Sequence, residues 1–294
     1  MLRKPFSFSP HLAADGVVLL ISVLGGGSFA LVKLALEGTS PANFIFLRLS
    51  VATISLLPFA WLKRRSWSTE FCRAGVVIGL LMFGGFITQT LGLVYTSASR
   101  GGFITTFYVI LVPFLSIVLL RQMPGWLAIS ASGLAFAGLY LFTTADKVQG
   151  LPFNVGDVLI LVSAFLWAGH IVAVGHYSPR MDTFWLLFLQ LGIASIGSCL
   201  WSALAGDMTL NLPAATLGEI LVLAVACTVL ITLGQVWAQA RTSPTRTAII
   251  WSTEPVFAAF FAWWWVGERM GVWGWVGCAF ILGGILLVEL GPKK

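Results

Sequence analysis

The chain carries ten apolar segments of about 20 residues each, at residues 13–36, 42–62, 72–94, 102–120, 125–143, 156–177, 183–205, 215–238, 245–266 and 271–290. A helix needs roughly 20 apolar residues to cross the hydrocarbon of a bilayer. The connections are short, and the longest, residues 144–155, is too short for a soluble domain. With 58% hydrophobic and 10% charged residues and a mean hydropathy of +0.94, the chain has far less charge than the ~25% of a soluble domain. One soluble core could not hide this much apolar surface, so lipid is the solvent for much of it. The expected fold is an all-α polytopic membrane protein with ten transmembrane helices.

The net charge of +6 does not imply nucleic acid as a partner, because the basic residues sit in short clusters between apolar segments: Arg3 with Lys4, residues 63–65, and Lys293 with Lys294. Ten spans put both termini on one side. With the termini inside, twelve Lys and Arg fall on inner connections and tails and three, Arg100, Lys147 and Arg269, on outer ones. That asymmetry is the positive-inside pattern, and it predicts cytoplasmic termini in a bacterial-type inner membrane. Trp263, Trp264 and Trp265, with Trp273 and Trp275, form an expected aromatic belt at the outer interface. Arg3 and Lys4 before an apolar run resemble a signal peptide, but no small-residue cleavage site follows, so the run reads as a retained first span. The four cysteines are scattered without a CxxC pair and read as buried small hydrophobes. Three unclustered histidines point away from a metal site, and no cofactor is expected.

The two halves of the chain are related. Residues 89–100, QTLGLVYTSASR, and 235–246, QVWAQARTSPTR, share Gln, Thr, Ser and Arg at a constant offset of 146. Each stretch closes one span and opens the next. Each is followed by a proline in the next apolar run, Pro113 or Pro255, then by a turn with Met123 or Met270, then by Gly-x-Ala-Phe at 133–136 or 277–280. A duplication of five spans predicts repeats at 11–143 and 156–290 joined by a linker at 144–155. An odd number of spans inverts the second copy relative to the first, and inverted repeats are a transporter signature. Aligned on their prolines, the halves differ by four residues, so Glu254 is matched with Val112 and the fourth span gains a turn before its kink.

The stretches YTSASRGGFITTFYVILVPF (95–114) and ARTSPTRTAIIWSTEPVFAAFFAWWWVGERM (240–270) resemble the two EamA-type repeats of the drug/metabolite transporter superfamily. Gly27, Ser28, Phe29 and Lys33 of the first span, and Pro41 with Arg48 in the second, fit the same pattern. Gly26 departs from it, standing where family members often carry Trp. The resemblance implies ten helices as two inverted five-helix repeats around a central cavity, lined mainly by spans three, four, eight and nine, with spans one and six in gating. Its implied substrates include amino acids, drugs, nucleotide sugars and other metabolites. The branch that exports hydrophobic and aromatic amino acids is similar in size and layout.

Each charge inside the membrane needs a partner or a task, because it costs at least ~2.5–3.5 kcal/mol at the bilayer centre. Glu254, about ten residues into the ninth span, can take up a proton, pair with a basic side chain, meet a substrate ammonium, or serve only as a structural acceptor. Pro255 removes a backbone bond and bends its helix, and Pro113 does the same in the fourth span. Both are candidate hinges, as are Gly26 and Gly27, which permit close helix approach or local unwinding. Lys33 lies four residues before Glu37, which suits an i,i+4 pair or snorkelling. Arg48 reads as half of a fixed structural ion pair. Trp167 with His170, and Trp251 with Glu254, repeat an i,i+3 spacing that sets an aromatic wall beside a polar head. Tyr108 joins them as a cavity candidate. Gln89 and Gln235 occupy repeat-equivalent positions, as cavity lining or as glue between helices.

No nucleophile motif or dense catalytic cluster is present, which argues against a membrane-embedded enzyme, and no soluble domain supports a sensor. The expected partners are the bilayer and a small-molecule substrate. Tryptophan walls, amides and a carboxylate favour a hydrophobic or aromatic amino acid; the rival is a small lipophilic cation, which Glu254 with Trp251 also suits.

Overall fold

In hydrocarbon every backbone N–H and C=O must be satisfied within the segment, and helices do this locally. A computed structural model of the chain describes residues 10–62, 68–96, 98–121, 123–145, 154–266 and 272–290. Within them, thirteen α-helices build ten spans. The first repeat holds α1 (Pro10–Gly38), α2 (Pro41–Leu62), α3 (Thr69–Tyr95), a broken fourth span of α4 (Ala98–Thr105) and α5 (Tyr108–Leu120), and α6 (Trp126–Ala145). The second holds α7 (Val155–Tyr177), α8 (Thr183–Ala205), an eighth span of α9 (Ala214–Ala224) and α10 (Ile231–Gln239), a broken ninth of α11 (Pro244–Trp251) and α12 (Glu254–Val266), and α13 (Val272–Leu290). A π-helical turn, Val225–Leu230, joins α9 to α10.

Local chemistry sets the ends. Ser68, Asp182 and Ser243 accept backbone N–H bonds at the starts of α3, α8 and α11, and Asn154 forms a capping box with Asp157 at α7. Gly206 ends α8 with φ of 71°, a left-handed turn that glycine adopts without strain. The outward faces are apolar, with Val118 73% and Leu200 60% exposed, as a lipid-facing surface requires. Trp273 and Trp275 are exposed at the start of α13. The side chains of Trp263, Trp264 and Trp265, the basic clusters at 3–4, 63–65 and 293–294, and most of 144–155 lie outside the described residues.

Among the described residues the main helix contacts recur when the repeats are exchanged. Helix α1 of the first half lies on α12 and α10 of the second, and α7 of the second lies on α5 and α3 of the first. The two closing helices, α6 and α13, pack on each other. Small residues bring those two together: a Cβ on Gly138 would meet the Gly277 carbonyl at 2.6 Å, and one on Gly284 the Ala131 carbonyl at 2.9 Å. The chain is therefore two interlocked, inverted five-helix repeats.

The structure corrects the expected position of the kinks. Both interruptions fall before the prolines, at residues 106–107 and 252–253, which keep the offset of 146. The half-helices match in length, eight residues in α4 and α11 and thirteen in α5 and α12. No turn is gained in the fourth span, and the partner of Glu254 is Tyr108, not Val112. Hydroxyl side chains explain the breaks. Thr105 and Thr106 donate to the carbonyls of Gly101 and Gly102, both at 2.8 Å. Ser252 and Thr253 donate to those of Ile249 and Ile250 at 2.6 and 2.8 Å. Such back-bonding competes with the helix ladder. Pro255 sits in the first turn of α12, where its missing N–H costs little, whereas Pro113 lies inside α5.

The glycines of the first span do not unwind it, since α1 is continuous through Gly25, Gly26 and Gly27. Gly26 instead permits contact with α12: a Cβ there would lie 2.7 Å from the Ala258 nitrogen, 2.8 Å from the Glu254 carbonyl and 2.9 Å from the Phe257 Cβ.

Candidate substrate cavity

A cavity of about 90 Å³ lies where the broken helices face α1, α3, α7 and the π turn. Gln89, Tyr108, Trp167, Gln235, Trp251 and Glu254 all line it. Four repeat-related pairs meet in its wall: Gln89 with Gln235, Phe86 with Thr232, Thr105 with Trp251, and Tyr108 with Glu254. The first members come from α3, α4 and α5, and the second from α10, α11 and α12. Helices α1 and α7 also supply wall residues, including Gly25, Phe29, Trp167 and Ile171, so spans one and six enclose the cavity as well as flank it.

Aromatic rings form two groups. On one side Phe86 packs edge-on against Trp167 at 5.0 Å, and Trp167 against His170 at 5.5 Å. On the other, Tyr108 meets Trp251 at 6.5 Å. Among the described residues the indole N–H groups of Trp167 and Trp251 are buried without a hydrogen-bond partner. Buried polar groups are normally paired, so two unused N–H donors on one cavity mark it as a place for a polar ligand.

His170 does not line the cavity; it orients what does. It is fully buried, with Nε2 2.9 Å from Gln190 Oε1 and Nδ1 3.4 Å from Gln235 Nε2. Gln190 Oε1 can only accept, so Nε2 carries the ring proton and Nδ1 accepts from Gln235. Gln235 Nε2 also donates to Gln239 Oε1 at 2.9 Å, and Gln239 donates to the Ile171 carbonyl at 2.8 Å. Both amide hydrogens of Gln235 are engaged, which leaves Oε1 as an acceptor with no partner among the described residues. Gln89 is held likewise by donating to Thr105 Oγ1 at 3.1 Å.

Glu254 begins α12 against α1. A Cβ on Gly25 would collide with its carboxylate, so the glycine leaves the space that the carboxylate fills. Among the described residues no hydrogen bond or ion pair reaches that carboxylate.

Arg48 differs from its expected place. It is 5% exposed and lines the cavity, and among the described residues no carboxylate pairs with it. The π turn supplies acceptors instead, Thr228 Oγ1 at 2.8 Å and the Cys227 carbonyl at 3.3 Å. Lys33 is half-buried on α1, outside the cavity, and among the described residues makes no pair with Glu37. The ion pair that the described residues do contain is one that sequence reasoning passed over. Arg246, at the start of α11, holds Asp15 of α1 with Nε at 2.9 Å and Nη2 at 2.7 Å. A carboxylate inside the first apolar segment was the available signal, the same one that singled out Glu254. Gln239, four residues after Gln235 on the same helix face, was a second.

Known proteins resemble this chain over most of its length. The model of the EamA-like transporter family matches residues 12–144 and again 154–290. An uncharacterized transporter of Archaeoglobus fulgidus is 30% identical over 284 residues, spanning 95% of this chain and 87% of that protein. A second from the same organism is 26% identical, over 92% of this chain and 95% of its own length. A solved crystal structure, 15% identical, superposes with a TM-score of 0.77 over 95% of this chain and 98% of that one, a likeness of fold. The cavity therefore belongs to a multi-pass membrane transporter, not an enzyme, and the chain is a member of the EamA-like transporter family, within the drug/metabolite transporter superfamily.

Proposed function

We propose that this transporter exports hydrophobic and aromatic amino acids from the cytoplasm across a bacterial-type inner membrane, by alternating access through the central cavity. The observation that carries the reading is the Glu254 carboxylate, unpartnered among the described residues, beside the aromatic walls of one cavity. A carboxylate and two amide oxygens suit an ammonium, and Phe86, Trp167, Tyr108 and Trp251 suit an apolar or aromatic side chain. At about 90 Å³ the cavity is well below the 300–1,000 Å³ of a pocket that encloses a drug-sized ligand. An aromatic amino acid enters only when the helices part, as alternating access demands. With the termini in the cytoplasm, the Asp15–Arg246 pair ties α1 to α11 at the cytoplasmic end, where it serves as a latch of the closed inner side. Residues 11–143 and 156–290 act as the two rocking halves.

A second reading, efflux of small lipophilic cations, draws on the same Glu254 and Trp251. Flux into proteoliposomes separates the two. Phenylalanine and leucine are expected to move, and Glu254→Gln to reduce their flux far more than Glu268→Gln. Clear efflux of a lipophilic cation with no flux of any amino acid overturns the substrate reading. Equal, mild effects of the two substitutions make Glu254 structural.

A further inference from the structure

We propose that Arg48, held by the π-helical turn, is the carboxylate anchor of the cavity and sets its preference for substrates with an acid group. This rests on the amino-acid reading above and assigns its second pole. A guanidinium has five N–H donors in a planar fork. Here the side-on pair is occupied: Nε donates to Thr228 Oγ1 at 2.8 Å and Nη2 to the Cys227 carbonyl at 3.3 Å. The end-on pair, on Nη1 and Nη2, has no acceptor among the described residues. That is the edge that takes a carboxylate with two parallel hydrogen bonds. A buried cation with no counter-ion is costly, and here it borders a cavity.

The surroundings hold the fork still. Thr228 is itself tied down, donating to the Leu223 carbonyl five residues back at 2.8 Å, a reach that the wider π turn provides. The Phe86 ring lies 4.7 Å from the guanidinium carbon and the Phe44 ring 5.9 Å, so its faces meet π clouds while an edge stays open. Glu254 lines the same cavity, and the two opposite charges do not pair with each other. Both poles are left to a ligand with a positive and a negative end. The indole N–H of Trp167, which is packed on Phe86 and has no partner among the described residues, is a further donor on the Arg48 side. A ligand with only an amine leaves Arg48 uncompensated, so a carboxylate discriminates between otherwise similar molecules.

The test uses the full chain in detergent and in proteoliposomes, with phenylalanine, phenylacetate and phenethylamine as probes, against Arg48→Gln, Arg48→Lys and Thr228→Val. Phenylalanine and phenylacetate are expected to raise the melting temperature of the unaltered protein. Arg48→Gln should abolish both shifts and lower phenylalanine flux at least tenfold, while phenethylamine is bound as well as before or better. Thr228→Val keeps the charge but frees Nε, and should raise the KM for phenylalanine several-fold with kcat little changed. If Arg48→Gln does not fold, Arg48→Lys and Thr228→Val carry the comparison. Shifts by carboxylates that do not depend on Arg48, or no shift by any carboxylate, overturn the proposal. Phenylalanine flux in the unaltered protein decides the amino-acid reading separately. Arg48-dependent binding of phenylacetate without that flux would leave the anchor standing and remove the amino acid.

Discussion

Two adjacent glycines on α1 should respond oppositely to the same added methyl group. At Gly26 a Cβ would sit 2.7–2.9 Å from the Ala258 nitrogen, the Glu254 carbonyl and the Phe257 Cβ, up to about 0.7 Å inside the 3.4 Å where ordinary contact begins. Two of those atoms are backbone, so relief requires α12 itself to retreat from α1. At Gly27 the nearest atom is on the Phe261 ring at 3.8 Å, an ordinary contact. Alanine gains about 1 kcal/mol over glycine in a helix interior, and overpacking costs about 1–3 kcal/mol. Gly27→Ala should therefore be stabilised by about 1 kcal/mol, and Gly26→Ala should range from neutral to about 2 kcal/mol destabilised, a gap of about 1–3 kcal/mol. Thermal denaturation in detergent measures the gap. Because Glu254 starts the helix that must move, transport by Gly26→Ala should fall while that of Gly27→Ala holds. Equal melting temperatures with equal flux would refute the claim that Gly26 sets the α1–α12 distance.

Gly25→Ala should leave stability nearly unchanged, because the obstructing atoms belong to the flexible end of Glu254. It should weaken substrate affinity by displacing that carboxylate; unaltered affinity would mean Glu254 does not meet the substrate. Asp15→Asn and Arg246→Gln should couple in a double-mutant cycle by about 0.5–3 kcal/mol, as residues in one ion pair do. Single loss of either partner should increase labelling of a cysteine placed at the cytoplasmic end of the cavity, and unchanged labelling argues against a latch. His170→Ala leaves Gln190 and Gln235 without a shared partner, at about 1–3 kcal/mol for each buried group. It should lower the melting temperature and raise KM together; a change in stability alone would make the network purely structural.

The residues that could be read from sequence are those whose chemistry contradicts their surroundings. Glu254 in an apolar segment, and glutamines repeated 146 residues apart, are visible because lipid gives polar groups no other solvent. Arg48 was visible for the same reason, but its partner was not. An ion pair was the reasonable expectation, and what holds it is a carbonyl and a hydroxyl on a π turn 179–180 residues away. No local pattern announces such a turn in an apolar run. The breaks were misplaced because proline is the loud signal for a kink. The quieter one is hydroxyl residues at 105–106 and 252–253 bonding back to their own helix, beside interruptions at 106–107 and 252–253 that keep the repeat offset.

Sequence alone determined that the chain lives in lipid, crosses it ten times and is built from two inverted copies. Each of these follows from segment length, charge distribution or repetition, which are local or additive properties. The tertiary structure decided which polar groups meet. It brought Tyr108 and Glu254 to one cavity, placed Arg48 in the cavity wall, set His170 behind Gln235 and joined Asp15 to Arg246. Those contacts depend on how helices from different halves of the chain approach, and that approach is settled by packing at single glycines and turns.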